Sequence, residues 1–361
     1  MPLVDHHCHG VVRRELDRAG FEALLGEGGA PPPGTTNFDT PLGLAIRRHC
    51  APLLDLAPHV RPEGYLERRA DLGAAEVTRR FLRAAGTRVF CVDTGHHPDE
   101  LLSPVELAAA AGSTAVGREV IRLEKVAETV ARAGAEGFGR RFAEQLAAVV
   151  AETGAVAVKS VAAYRGGLEL TAAPPSRSAV TAGVDRWLTG ASADPVLGSA
   201  LVWAAVELGL PIQFHVGYGD RDLVLHRSDP SLLTAFLHAA PAEIPVLLLH
   251  CYPYHRSAAY LAGTYRNVYL DVGLALNQVG PVRARVVLAE ALEAVPFGKM
   301  LYSSDAYGLP ELYALGSLVF RRALAVVLGE GVAAGEWAAA DADRVAAMIG
   351  AGNAERVYGL C

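Results

Sequence analysis

Lysine is almost missing from this 361-residue chain: Lys125, Lys159 and Lys299 are the only ones, and arginine supplies the rest of the positive charge. Basic residues are outnumbered overall, leaving a formal net charge of -6. That balance argues against a general binder of nucleic acid or anionic membrane, both of which need basic patches. Cysteine is sparse and unpaired in spacing, at Cys8, Cys50, Cys91, Cys251 and Cys361. An odd, dispersed set excludes a disulfide framework and fits reduced thiols in a cytoplasm. No charged-then-apolar leader opens the chain, and no apolar run approaches the roughly 18 residues of a membrane span. Internal repeats and coiled-coil heptads are missing as well.

What is present describes a large core. Hydrophobic residues make up 51% and charged residues 20%, enough for one large α/β barrel or two ordinary domains. Eight short apolar runs recur: Leu3 to Cys8, Arg88 to Asp93, Arg118 to Glu124, Ala155 to Ser160, Pro211 to His215, Pro245 to His250, Asn267 to Asp271 and Met300 to Asp305. Most are separated by helical segments, as at about 73–85 and 104–111. Continuous rather than alternating apolar strands between helices indicate a parallel sheet buried on both faces. Eight such units favour a (β/α)8 TIM-type barrel spanning the whole chain as a single domain. Residues 11–70 break the rhythm. Their Gly26 to Gly34 stretch, with three consecutive prolines, is loop. This region reads as an insertion near the barrel mouth, with helical runs from Arg13 to Leu25 and Thr40 to Leu56. The alanine-rich tail, 312–361, reads as helices packed on the outside.

The polar residues follow one rule. Strand one ends in His7 and His9, strand four in Lys159, strand five in His215, strand six in His250 and strand eight in Asp305. Alternation along strand one puts His7 and His9 on one face and turns His6 and Cys8 away. The carboxyl ends of parallel barrel strands converge on one mouth, where barrel enzymes place their chemistry. A single histidine there is more often a satisfied polar residue, but so many together predict a metal site. Imidazole and carboxylate suit zinc first, with manganese or iron as alternatives, and one or two ions. Such a cation lowers the pKa of water toward neutrality. Asp305 would take a proton and pass it to a leaving amine, while His250 steadies the water or polarises a carbonyl.

The Asp5-x-His7-x-His9 opening, followed in strand order by His215, His250 and Asp305, resembles the amidohydrolase superfamily. The runs Val158 to Arg165, His250 to His255 and Tyr302 to Ala306 are similar to one branch of it, whose members include domains fused to glutamine-synthetase-like domains in plant nodulin and fungal signalling proteins. The resemblance implies His7, His9, His215 and Asp305 as ligands of the principal metal. It implies for His250 either a second metal or action on the water. It also implies for Lys159 a choice between a bridging carbamate and a bare amine; carbamylation requires a neutral amine.

Around these, Arg165 is a candidate clamp for a substrate carboxylate, and Tyr254 and His255 are candidate substrate contacts. Arg122 and Glu124 are expected to pair under the site, and His96 and His97 to lie in a loop. The expected function is cleavage of a non-peptide C–N bond in a small molecule, with a γ-glutamyl amide suggested by the fused relatives. A metal-dependent decarboxylase is the alternative, and a non-catalytic metal-bearing signalling protein the third reading. The expected partner is a small-molecule substrate, with neither nucleic acid nor membrane, and a homo-oligomer is compatible with the sequence.

Overall fold

The apolar runs form the strands. In the computed structural model, which describes residues 1–190 and 194–360, seven strands pair in chain order, each parallel to the next. They are β1 (Leu3–Cys8), β2 (Thr87–Asp93), β3 (Val116–Arg122), β4 (Ala157–Ser160), β5 (Ile212–Val216), β6 (Val246–His250) and β7 (Val268–Leu270). The result is an α/β curled sheet of TIM-barrel type. The eighth expected strand, Met300 to Asp305, is not one. Its backbone instead bridges the two edge strands: Leu301 N donates to Leu270 O (3.0 Å), His6 N to Tyr302 O (3.1 Å) and Asp305 N to His7 O (3.1 Å). Side chains take over where a ladder would run. Ser303 Oγ donates to Asp271 (2.8 Å), Ser304 N donates to Asp5 (2.8 Å), and Asp305 adopts a left-handed φ of 47°.

Inside the sheet a small core joins Val4, Val120, Ala157, Leu247 and Leu301, while a larger core fills the layer between strands and helices. Burial on both faces accounts for the unbroken apolar character of the strands. The tail departs from expectation here. Its long helix Pro310–Ala333 packs on the outer layer, but Ala351, Ala354 and Tyr358 enter the inner core as the floor of the barrel. Three small or aromatic side chains at that spacing fit the narrow interior that an exterior helix would leave unfilled.

Helix Pro310–Ala333 is long and apolar enough to cross a membrane by length and composition, which the search for an unbroken apolar run passed over. It is nevertheless largely buried in the fold, and its Arg321 donates to Ala85 O at 2.8 Å. Between β1 and β2 lie short helices Arg18–Ala23, Pro41–His49 and Pro62–Leu72. Asp17 and Thr40 cap the first two by accepting from Gly20 N (2.8 Å) and Gly43 N (3.0 Å). A buried ion pair, Arg69 to Glu311 at 2.8 Å, fastens this insertion to the long helix. Ala23, Leu24, Gly26, Glu27 and Gly29 of this region line the mouth.

Candidate metal centre

Five strand-end groups meet at the mouth of the sheet. His7 Nε2 lies 3.1 Å and His9 Nε2 3.5 Å from Asp305 Oδ1, and His250 Nδ1 lies 3.4 Å from Asp305 Oδ2. The His215 and His250 rings stand 4.8 Å apart, centroid to centroid. All are buried or nearly so.

Hydrogen bonding on the far side of two imidazoles decides what faces the centre. His9 Nδ1 lies 3.2 Å from Asp93 O. A carbonyl only accepts, so Nδ1 carries a proton, and the neutral ring turns its Nε2 lone pair to Asp305. Gln213 Nε2 donates to His6 O (2.8 Å), which turns Gln213 Oε1 toward His7 Nδ1 (2.9 Å). His7 therefore also carries its proton on Nδ1. Its pKa is pushed down to about 3 by burial and by neighbouring Lys159, so it stays neutral. Two lone pairs thus face one carboxylate oxygen at 3.1 and 3.5 Å. Acceptor against acceptor in a buried place repels unless something positive stands between them; Lys159 Nζ, 2.9 Å from His7 Nε2, meets one of these lone pairs and leaves His9 Nε2 facing Asp305 Oδ1. Orienting the outer nitrogen in this way is how proteins prepare a metal-ligating histidine.

Further buried atoms agree. His215 Nε2, both ring nitrogens of His250 and Asp305 Oδ1 have no hydrogen-bond partner among the described residues. Burial alone would raise the Asp305 pKa, but neighbouring His250 leads the opposing influences, and the pKa lies well below the usual carboxylate range. His250 and Asp305 both have left-handed backbones, φ 67° and 47°. Such strain costs on the order of 1–3 kcal/mol each and collects where function fixes a side chain. His250 N is tied to Asp271 Oδ1 at 3.0 Å, which fixes the bend. The residues present fit a divalent cation: His7, His250 and Asp305 form one compact donor group, and His7, His9 and Asp93 a second.

Lys159 reaches the same place. Its Nζ lies 2.9 Å from His7 Nε2 and 3.7 Å from Asp93 Oδ2. Burial lowers its pKa against the pull of Asp93. Asp93, at the end of β2, belongs to the site although the sequence reading passed over it. Arg122 pairs with Asp93 through Nη2 (2.6 Å) and Nε (3.0 Å) rather than with Glu124. Glu124 accepts from Ser160 Oγ and Val161 N, both at 2.9 Å. His6 is a second correction. The pairing register shifts between Asp5 and Cys8, so alternation fails and His6 turns inward to Asp271 (3.0 Å). Cys8 faces away from the centre, its thiol on Cys91 O.

Of the outlying candidates, Arg165 stands at the cavity rim, 56% exposed and 3.7 Å from Glu128. Tyr254 and His255 leave the mouth. The Tyr254 hydroxyl donates to Leu225 O (3.2 Å), and His255 Nε2 meets Glu290 at 2.8 Å on the flank. The left-handed turn at His250 and Cys251 sends the following chain outward. His96 lines the cavity, with its pKa pushed down to about 3 by burial and by Arg122, while His97 is exposed near Glu100.

The cavity above the centre holds about 430 Å³. Glu27 from the insertion enters its wall, its pKa pushed up to about 7 by burial and by Asp305 and Asp220. Tyr164 lies 4.8 Å from His215 between ring centroids, and its oxygen accepts from Asp220 N at 3.3 Å. Gly219 is required there, because a Cβ would come within 3.0 Å of His215 Nε2 and overlap the Tyr164 hydroxyl.

The Amidohydrolase family profile matches residues 4–360. The chain belongs to the amidohydrolase family. Within curated relatives, this amidohydrolase is 33% identical to protein fluG of Emericella nidulans over 246 residues, 62% of the present chain. That match spans only 28% of fluG. A candidate metal-dependent hydrolase from Lactobacillus casei superposes with a TM-score of 0.86 at 28% identity, over 99% of this chain and 95% of the other. The uronate isomerase of Thermotoga maritima superposes with a TM-score of 0.66 at 15% identity, over 99% and 94%, a likeness of fold alone.

Proposed function

We propose that this amidohydrolase is a metal-dependent hydrolase of the amide bond in a small zwitterionic substrate, a γ-glutamyl amide being the class that fits best. The carrying observation is the set of Nε2 lone pairs and a carboxylate facing one another without a protein donor that satisfies them all. His7, His9, His215 and Asp305 would hold one divalent cation, zinc first and manganese or iron next. Bound there, the cation would supply acidification of a water and polarisation of a carbonyl.

The remaining steps belong to side chains. Asp305 takes a proton from the attacking water and returns one to the leaving nitrogen. His250 orients that water. The Tyr164 hydroxyl, whose oxygen already accepts from Asp220 N, has its own proton available for the developing oxyanion. Burial raises the pKa of that phenol, which keeps the proton in place. Lys159 acts as a bare amine in this scheme. A carbamate on it would set a second anion against Asp93, 3.7 Å from the present Nζ.

The substrate class rests on the charges of the cavity wall. Glu27, Asp220 and Asp222 line it along with Arg122 and Arg165, so one wall suits an ammonium and another a carboxylate. A γ-glutamyl amide carries both on its α-carbon. The resemblance to domains fused with glutamine-synthetase-like partners points the same way, as an association. The test is a panel of γ-glutamyl amides offered to protein loaded with zinc, manganese or iron, with amine and carbon dioxide both quantified. Amine release with one equivalent of metal supports the reading. Carbon dioxide release from carboxylated substrates without amine would replace it with a decarboxylase.

A further inference from the structure

Behind His7, on the side away from the mouth, a chain of hydrogen bonds runs to the barrel floor. Gln213 Nε2 donates to the Tyr358 hydroxyl oxygen at 2.9 Å as well as to His6 O. The Tyr358 oxygen lies 2.8 Å from His6 Nδ1, and His6 Nε2 lies 3.0 Å from Asp271 Oδ2. Every member is buried.

The proton positions follow from which atoms can only accept. The Asp271 carboxylate accepts, so His6 donates from Nε2, and in the neutral ring Nδ1 is left as a lone pair. Tyr358 must then donate to His6, leaving its oxygen to receive Gln213 Nε2. The His6 carbonyl imposes the same Gln213 orientation independently. Gln213 Oε1 is left for His7, which must donate from Nδ1. All four bonds run one way, from His7 through Gln213, Tyr358 and His6 to Asp271. A flipped amide would set Gln213 Oε1 against the His6 carbonyl and Nε2 against a protonated Nδ1, both repulsive. Linked donors polarise one another inside a low-dielectric core.

We infer that Tyr358 is a positioning residue for the metal centre: its hydroxyl locks the Gln213 amide, and that amide holds the Nε2 lone pair of His7 toward the mouth. The inference rests on the reading of His7 as a metal ligand, but part of its test does not. The tail residue thus acts through two others on a group it never touches. Substituting Phe keeps the ring in the inner core and removes one oxygen. Gln213 then loses one of its two acceptors and His6 Nδ1 its donor, so the amide is held in that orientation by the His6 carbonyl alone.

Imidazole nitrogen shifts of metal-free, 15N-labelled full-length protein read the tautomers directly. His7 protonated on Nδ1 and His6 protonated on Nε2 are expected in the native chain, with His7 becoming a mixture in Tyr358→Phe. Zinc affinity by chelator competition should fall about tenfold in Tyr358→Phe and tenfold or more in Gln213→Leu, the range typical for such supporting partners. The double variant should lose little more than Gln213→Leu alone. Cobalt-substituted spectra should shift in both. Native His7 protonated on Nε2, or zinc affinity within twofold of native in both variants, would overturn the inference. Should Tyr358→Phe fail to fold, the native tautomers still decide. A native protein that binds none of zinc, manganese and iron would sink the metal reading, while the two tautomers would still test this one.

Discussion

The mouth and the floor of this barrel both bury histidine beside carboxylate, yet they treat the pair in opposite ways. On the floor, His6 presents an N–H to Asp271 at 3.0 Å, and the Asp271 oxygens also take His250 N, Gly273 N and Ser303 Oγ. At the mouth, His7 and His9 present lone pairs to Asp305 at similar distances. The floor is complete as protein; at the mouth Lys159 Nζ reaches His7 Nε2 at 2.9 Å, and the remaining facing acceptors are left for something positive. The contrast teaches that proximity of His and Asp says little until the proton on the far nitrogen has been placed. Buried polar groups that satisfy one another are structure, and those left facing alike are preparation for a ligand.

The strongest way to break the comparison is at Asp305. Asp305→Asn should lower kcat of metal-loaded protein by about 10²–10⁴-fold, the usual weight of a general acid–base group, with near-native unfolding midpoints. Activity within tenfold of native would remove Asp305 from the chemistry.

The converse experiment belongs to the satisfied kind of burial. Arg69→Leu strands Glu311 in the core and should destabilise the protein by about 3–5 kcal/mol in urea titrations. Metal affinity should stay unchanged. A matching loss of metal binding would show that the outer ion pair and the centre are not independent.

Glu27 sharpens the difference by pH. Its folded pKa is raised to about 7 from the ordinary 4.5, by burial first and then by Asp305 and Asp220. The unfolded chain releases this proton near pH 4.5 and the folded chain only near 7. The group's contribution therefore favours folding most below 4.5 and is lost as pH rises to about 7. Glu27→Gln in metal-free protein should accordingly gain stability relative to native between pH 5 and pH 8, measured by denaturant titration. A pH-independent difference would place Glu27 in solvent rather than in the wall.

The smallest effect is expected at Arg165, which is more than half exposed. Exposed pairs are worth up to about 1 kcal/mol, so Arg165→Ala should raise KM less than about fivefold on the best amide substrate. A rise well beyond that would make Arg165 the principal clamp for the substrate carboxylate.

Much of the site was legible because parallel strands bring their carboxyl ends to one place. His7, Lys159, His215 and His250 lie at or next to such ends, His9 lies just beyond β1, and Asp305 ends the segment that bridges the edge strands. Asp93 likewise stands at the end of its own apolar run, and was passed over because a lone acid after a valine looks like a turn. Glu27 gave no such signal. Its position depends on how a glycine- and proline-rich loop folds, and periodicity has nothing to say about that. Tyr254 and His255 were drawn in by nearness in sequence to His250, and two left-handed residues turned the chain away. His6 was misread because pleat alternation presumes a regular ladder, and β1 shifts register where the imidazoles begin. The eighth strand was misread for a related reason: apolar residues predicted a full ladder, but only a few backbone bonds form and serine and aspartate side chains complete the joining.

That joining has a consequence for how the protein comes into being. Asp305 is fixed by a hydrogen bond to the His7 carbonyl, and Tyr358 closes the space beneath them. During synthesis on a ribosome, the earliest histidines emerge long before either of these arrives. No nascent fragment lacking those two residues owns a finished coordination pocket, so an ion would be taken up only once Asp305 and Tyr358 have both been made.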